Sequence, residues 1–314
     1  MPPDPETLLG YVAKHYNCHD VAIAYEAGCC GYSAARSFIE YGWNTFVVNA
    51  ADIPRPAKQG IIKTDKIDAK NIALQLRACN LRKLTIPSIE RECLRNLTRR
   101  RTQLVRRNRK IKLQIKSLLL YHNLPIPEQY DNPNWSKAFI NWLHQFEWFY
   151  PSIKLAFSSM LEELEFLGSQ LSHVSIGIRA YCRKHHKKDY MLLRSVPGVG
   201  PLNAAYIISE IGDIKRFNTF KKLASYVGIV PNVHSSGENT SAFGVSPRAN
   251  RTVRSLLVEA SWVAIRIDPA LQQYYRKHAR HNCKAAIFKV ARKLLSRIYA
   301  VIKTETDYQI GVIE

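Results

Sequence analysis

The chain has 314 residues and a formal net charge of +21, with 46 Lys and Arg set against 25 Asp and Glu. So large a surplus, spread along the sequence, points to a polyanionic partner, nucleic acid ahead of a membrane surface. No uninterrupted apolar run of about 18 residues is present, MPPDPETLLG lacks the basic start and apolar stretch of a signal peptide, and seven scattered cysteines without a CxxC pair read as reduced thiols of a cytoplasmic protein rather than a disulfide framework or zinc site.

Residues 1–85 read as α/β. A helix over about residues 5–16 is followed by VAIAY (21–25), apolar on both faces as in a strand buried inside a parallel sheet. A helix over about 33–41, a second strand TFVVN (45–49) and a helix over 64–79 complete the region, with Ile67, Ile72, Ala73 and Leu76 near one face of the last. Two parallel strands alone do not make a stable sheet. Sheet partners are therefore expected upstream of Met1 or from another chain.

Residues 88–121 read as one long helix with Leu94, Leu97, Leu104, Ile111, Ile115 and Leu118 in a heptad seam, interrupted by Arg101 and Asn108. Its other faces carry Arg99, Arg100, Arg106, Arg107, Arg109, Lys110, Lys112 and Lys116, a surface suited to DNA. A second helix, about 152–184, brings Leu161, Leu164, Leu167, Leu171 and Val174 and could fold back against the first. The Pro- and Asn-rich segment 123–136 is the expected hairpin tip. Residues 189–300 then read as a compact, all-helical domain, with a tail over 301–314.

Three constellations could carry chemistry. Glu26 follows the first strand, where α/β sheets present catalytic groups, and Asp65 and Asp68 lie three apart, so both face one way on a helix. Converging carboxylates repel unless cations share them, and Mg²⁺ suits oxygen donors that meet a phosphate. The DxxD spacing alone is more often an ordinary solvated pair. The second constellation is SVPGVGPLNAAYIISEIGD (195–213), in which Gly198 and Gly200 lead into a helix start able to hold a phosphate, the look of a helix-hairpin-helix element that grips DNA backbone. A plain tight turn between packed helices reads equally well. The third is the stretch 228–262, where Ser235 and Ser236 lie in a polar loop beside His234. A serine there becomes a nucleophile toward phosphorus if a base or a metal lowers its proton affinity, and Arg248, Arg251 and Arg254 could cradle the attacked phosphate. Capping serines in a glycine turn are the competing reading.

The segments YEAGCCGY (25–32), KTDKIDAKNIA (63–73), the basic long helix, PGVGPLNAAYIISEIGDIKRF (197–217), LASYVGIVP (223–231), HSSGE (234–238) and NRTVRSLLVEASW (250–262) occur in a fixed order. In that order they resemble the insertion-sequence transposases that pair a RuvC-like DEDD domain with a C-terminal serine domain, the RNA-guided bridge recombinases. The resemblance covers about residues 5–290. It implies an RNase H-like N-terminal fold with four acids in the order Asp, Glu, Asp, Asp, and Glu26, Asp65 and Asp68 match the last three. It implies Mg²⁺ or Mn²⁺ as cofactor and a nucleophilic serine, which Ser235 and Ser236 both match. It also implies a helical middle that makes a dimer or tetramer, and DNA and a structured guide RNA as partners.

Two departures stand out. The family's first Asp lies on the first strand of its sheet, in a G-I-D-like segment, and neither Asp4 nor Asp20 is placed to replace it. The chain is accordingly expected to be a truncated copy with Met1 an internal methionine. Where the family has Lys then Gly before Asn, this chain has Pro247-Arg248-Ala249-Asn250. The resulting expectation is an α/β plus α protein: a partial RuvC-like domain (1–85), a coiled-coil hairpin (86–188), a helix-hairpin-helix and serine domain (189–300) and a tail. Its function is cutting and rejoining DNA for insertion-sequence mobility, with an inactive remnant that binds nucleic acid and oligomerises as the alternative.

Overall fold

The computed structural model describes residues 4–17, 20–54, 64–236, 239–245, 249–280 and 282–311, with the backbone alone over 231–236 and 239–245. Two compact units make up the chain, Met1–Ser88 and Ile89–Glu314.

The first unit opens with α1 (Pro5–His15), capped by the Asp4 carboxylate, which accepts from the Thr7 amide at 2.9 Å. Next come β1 (Ala22–Glu26), α2 (Ser33–Glu40) and β2 (Asn44–Val48). The strands pair in parallel, from Ala22 opposite Asn44 to Glu26 opposite Val48. β2 is the better buried strand, and the Leu84 amide donates to the Val47 carbonyl at 2.8 Å on its way past. β1 corrects the expectation of a strand buried on both faces: Ala22 and Glu26 are exposed and the three residues between them only half-buried. The reason lies in a small core, built from Val12, Phe38 and Trp43 with the Phe38 and Trp43 rings stacked at 5.3 Å. α3 (Asp65–Arg77) follows, its Thr64 hydroxyl accepting from the Ile67 amide at 3.3 Å.

The second unit begins with α4 (Ile89–Tyr121), which packs along α6 (Pro151–His185) as a helical hairpin. The heptad seam is therefore satisfied within the chain. Leu94, Leu104, Ile111 and Ile115 are buried as the spacing requires, but Thr98 and Leu119 occupy the fully buried positions beside the half-buried Leu97 and Leu118. Arg101, a polar interruption of the seam, donates from Nε to Ser175 Oγ on α6 at 3.0 Å, a bond that favours one register of the hairpin. The tip also holds a helix that the sequence reading lacks, α5 (Lys137–Gln145), which seats Phe139 and Leu143 in the hairpin core among Tyr130, Trp135, Trp142 and Trp148.

Beyond the hairpin lie α7 (Lys187–Ser195), α8 (Pro201–Ile211), α9 (Phe220–Val227), β3 (Pro231–Ser236), β4 (Asn239–Val245), α10 (Arg251–Ile267), α11 (Pro269–Ala279) and α12 (Cys283–Thr304). The antiparallel β3–β4 hairpin corrects the expectation of an all-helical C-terminal region. One continuous core joins α7 to α12 and takes in Leu94 of α4 and Ile178 and Cys182 of α6. A polar seam adds to that joint. Thr98 Oγ1 and Ser209 Oγ lie 3.1 Å apart, Tyr206 Oη donates to the Thr98 carbonyl at 2.9 Å, and Arg95 Nε donates to the Ser209 carbonyl at 2.9 Å. Buried hydroxyls paired in this way tie α4 to α8 without leaving a donor stranded. Among the described residues, no helix is long and apolar enough to cross a membrane.

Candidate functional site

In the first unit the three predicted acids come to one place. Glu26 is the last residue of β1 rather than the residue after it, and Asp65 and Asp68 stand in the first turn of α3. All three line a groove of about 550 Å³, together with Ala22, Ile23, Ala24 and Tyr25 of β1 and the apolar residues Ile72 and Leu76 of α3. Five consecutive β1 residues line it. A sheet face shows alternate residues, so a wall of consecutive ones is the edge of the strand. The groove thus runs along the edge of β1 that faces away from β2. The Tyr25 hydroxyl donates to the Gly31 carbonyl at 3.0 Å and braces the loop that follows Glu26; burial raises this phenol above its ordinary value.

The two aspartates have a structural role as well, since carboxylates in the first turn of a helix offset its positive end. As donors, three carboxylates in one groove are of the kind a hard divalent cation takes. Among the described residues, no three His, Cys, Asp or Glu side chains gather closely enough to hold one ion. The acids share a groove without forming a closed ligand shell.

In the second unit, Gly198 and Gly200 fall in the turn between α7 and α8 and differ in what they meet. Gly198 has φ +79°, and a Cβ there would lie 2.1 Å from the Ala260 carbonyl oxygen of α10. Its backbone freedom serves a contact inside the protein. Gly200, which caps α8, has open space where its Cβ would be. Most of α8 is buried, from Ala204 to Ser209 and again at Ile211.

Ser235 and Ser236 lie on β3, paired with Thr240 and Asn239 of β4, so the expected polar loop is a strand end. Arg248 lies outside the described residues. Arg251 is exposed in the first turn of α10, and the half-buried Arg254 reaches the Gly228 carbonyl at 3.5 Å. Asn250 caps this helix, its side chain accepting from the Val253 amide at 3.1 Å. Its other side-chain atom donates to Glu210 at 3.2 Å, and Arg99 Nε sits 3.3 Å from the same carboxylate. Sequence reasoning passed over Glu210, although the EIGD string contains it. Through Asn250, this carboxylate holds the start of α10 that presents Arg251. On α4, Arg106, Arg107 and Lys110 are exposed and have no ion pair among the described residues. From Cys93 to the end of that helix there is no carboxylate at all.

Comparison with known proteins gives an independent line. A family model described as "Transposase" matches residues 2–123, and that of the transposase IS116/IS110/IS902 family matches residues 190–276. The Sinorhizobium fredii protein y4qE, which carries a transposase name, is 31% identical over 282 residues, 89% of this chain and 67% of its own length. The transposase for insertion sequence element IS1111A of Coxiella burnetii is 23% identical over 286 residues, 88% of this chain and 76% of that one. The pilin gene-inverting protein of Moraxella bovis is 32% identical over 123 residues, 37% of this chain and 38% of that one. The first model's match contains Glu26, Asp65 and Asp68, and the second contains Gly198, Gly200, Ser235, Ser236 and Arg251.

Proposed function

The chain belongs to the IS116/IS110/IS902 family of transposases, and we propose that it cuts and rejoins DNA strands to move an insertion element, using a serine nucleophile and divalent metal. One observation carries the reading: Glu26, at the end of β1, and Asp65 and Asp68, in the first turn of α3, line the same groove. Residues far apart in sequence line one groove there, and their carboxylates are the kind of donor that metal-assisted phosphoryl transfer uses.

In the proposed step, the hydroxyl oxygen of Ser235 or Ser236 bonds to the phosphorus of a DNA phosphodiester and its proton passes to a carboxylate or water. The bond from phosphorus to the leaving deoxyribose oxygen breaks, and that oxygen takes up a proton. A serine phosphodiester and a free hydroxyl end result, and the reverse step rejoins a strand. Glu26, Asp65 and Asp68 would hold Mg²⁺ or Mn²⁺, which when bound neutralises charge on the phosphate. Arg251 and Arg254, with Arg248, would grip its oxygens in bidentate pairs. Gly200 and the start of α8 would give a second backbone contact next to Gly198, and Arg106, Arg107 and Lys110 would lie along duplex DNA or a structured guide RNA. Self-association into a dimer or tetramer belongs to the same reading; the exposed Leu113, Leu120 and Tyr121 on α4 support it.

The test is a strand-exchange reaction with the full chain, Mg²⁺ or Mn²⁺ and labelled element ends, run on a denaturing gel. The expected result is a covalent protein–DNA adduct that disappears in either Ser235→Ala or Ser236→Ala. A second reading is an inert copy that only binds nucleic acid and oligomerises, favoured by the absence of a closed three-acid shell among the described residues. Duplex binding without adduct or exchange in either metal would select it.

A further inference from the structure

The stretch from Pro269 to Thr304, which spans α11 and α12, holds nine Lys and Arg and no Asp or Glu. The two helices pack against each other, and between them lies a cavity of about 680 Å³. Gln273, Tyr274, Arg276, Lys277, Arg280 and Lys293 line it, and Arg297 closes one side. Arg297 is already committed: it donates to the fully buried Asp268 at 2.9 Å. Arg276, Lys277, Arg280 and Lys293 are exposed and have no carboxylate partner among the described residues.

We infer that this cavity is a phosphodiester site for nucleic acid, built on elements other than α4 and the first turn of α10. Cations in the last turn of a helix offset its negative end, which accounts for Arg276 and Lys277 but not for Lys293, in the middle of α12. Four cations around one concavity with no acid repel one another, and an anion relieves that repulsion. Arg276, Lys277 and Arg280 span about one helical turn, roughly 6 Å of axis at 1.5 Å per residue. With one charge per roughly 3.4 Å along each strand of a duplex, that span takes in at least two phosphates of one strand. The cavity reads no bases. The Tyr274 ring, the one aromatic ring in its lining, already has Lys293 Nζ 4.9 Å from its centroid and the His278 ring at 4.5 Å, contacts that compete with base stacking.

The inference rests on the nucleic-acid reading above, and the experiment separates the two. Binding of a labelled duplex to the full chain is followed by anisotropy across a salt series. The subjects are wild type, a cavity variant (Arg276→Gln, Lys277→Gln, Arg280→Gln, Lys293→Gln), an α4 variant (Arg106→Gln, Arg107→Gln, Lys110→Gln) and a charge-matched α6 control (Lys154→Gln, Arg179→Gln, Arg183→Gln, Lys184→Gln). Two lost phosphate contacts should make the salt slope shallower by about 1.8 in the cavity variant and weaken binding roughly 10- to 100-fold at low salt. Circular dichroism confirms the fold of each variant. A cavity variant that tracks the α6 control while the α4 variant falls overturns the site and leaves the wider reading standing. Wild type without salt-dependent duplex binding overturns both. Inorganic phosphate at constant ionic strength is the final arm: if it raises the melting temperature of wild type but not of the cavity variant, and duplex slopes are equal, the ligand is a free phosphate and the polymer assignment fails.

Discussion

Residues 1–88 carry ten Lys and Arg against eight Asp and Glu, whereas residues 89–314 carry 36 against 17. The first unit has a small core, with Val12, Phe38 and Trp43 clustered in it; the second has two larger clusters, one in the α4–α6 hairpin with α5 and one that joins α7 to α12 with parts of α4 and α6. The two differences go together. A small core leaves β1 half-exposed and its edge open as a groove, and low net charge there lets carboxylates stand together. The larger clusters fix long helices whose outer faces are free to be cationic. The metal-holding acids are thus proposed where the fold is thin and nearly neutral, and the grip, with the nucleophilic serine, where it is thick and basic.

The strongest way to break this contrast is to remove an acid from the groove. Asp65→Asn or Asp68→Asn should lower strand exchange by two to three orders of magnitude, roughly the cost of deleting an electrostatic partner of a transition state, and leave duplex affinity within about twofold, as read by anisotropy. A parallel loss of binding would mean that grip and chemistry are not divided in this way.

The next effect concerns the rigid unit. Asp268 is fully buried, caps α11 by accepting from the Leu271 amide at 2.9 Å, and also accepts from Arg297, the Tyr308 hydroxyl and the Gly311 amide. Asp268→Ala leaves Arg297 without its counter-ion and should cost about 3–5 kcal/mol, seen as lost hydrogen-exchange protection in α11 and α12 with none lost in residues 1–88.

Two glycines then separate packing from binding. Gly198→Ala drives a Cβ into the Ala260 carbonyl and should destabilise the second unit by roughly 2–4 kcal/mol. Gly200→Ala meets open space and should stay within about 0.5 kcal/mol by denaturant melting. If both are silent, the turn is not seated against α10.

The smallest effect is a pH response. Hydrogen bonds from Lys188 and then Lys215 hold the Glu305 carboxyl down at about 2, against an ordinary 4.5. A folded value below the unfolded one stabilises fully above the unfolded value and is lost as pH falls toward the folded one. The tail after α12 should therefore become more open to limited proteolysis between pH 4.5 and 2, and Glu305→Gln should make that response flat.

Much of this was legible in the residues. α4 and α6 follow from apolar spacing near 3.6 over more than thirty positions. α5 was not legible, because nine residues between Pro- and Asn-rich stretches carry little periodicity and its burial comes from contact with the hairpin. The β3–β4 hairpin was missed because HSSGENTS has the composition of a loop, although its pairing is local, from Ser236 opposite Asn239 outward. Gly198 read equally well as a phosphate turn or a packing turn, and only the carbonyl of Ala260, some sixty positions away, gives it a structural reason.

The sequence by itself determined the element types over long periodic stretches, the cationic character of the helical unit and which acids were worth watching. Those properties depend on neighbours a few residues apart. The tertiary structure alone decided that the seam of α4 is closed by α6, that Glu26 shares a groove with Asp65 and Asp68, and that Asp268 rather than a surface acid answers Arg297. Each of these is a contact between distant segments, whose energy depends on chain folding and burial rather than on local pattern.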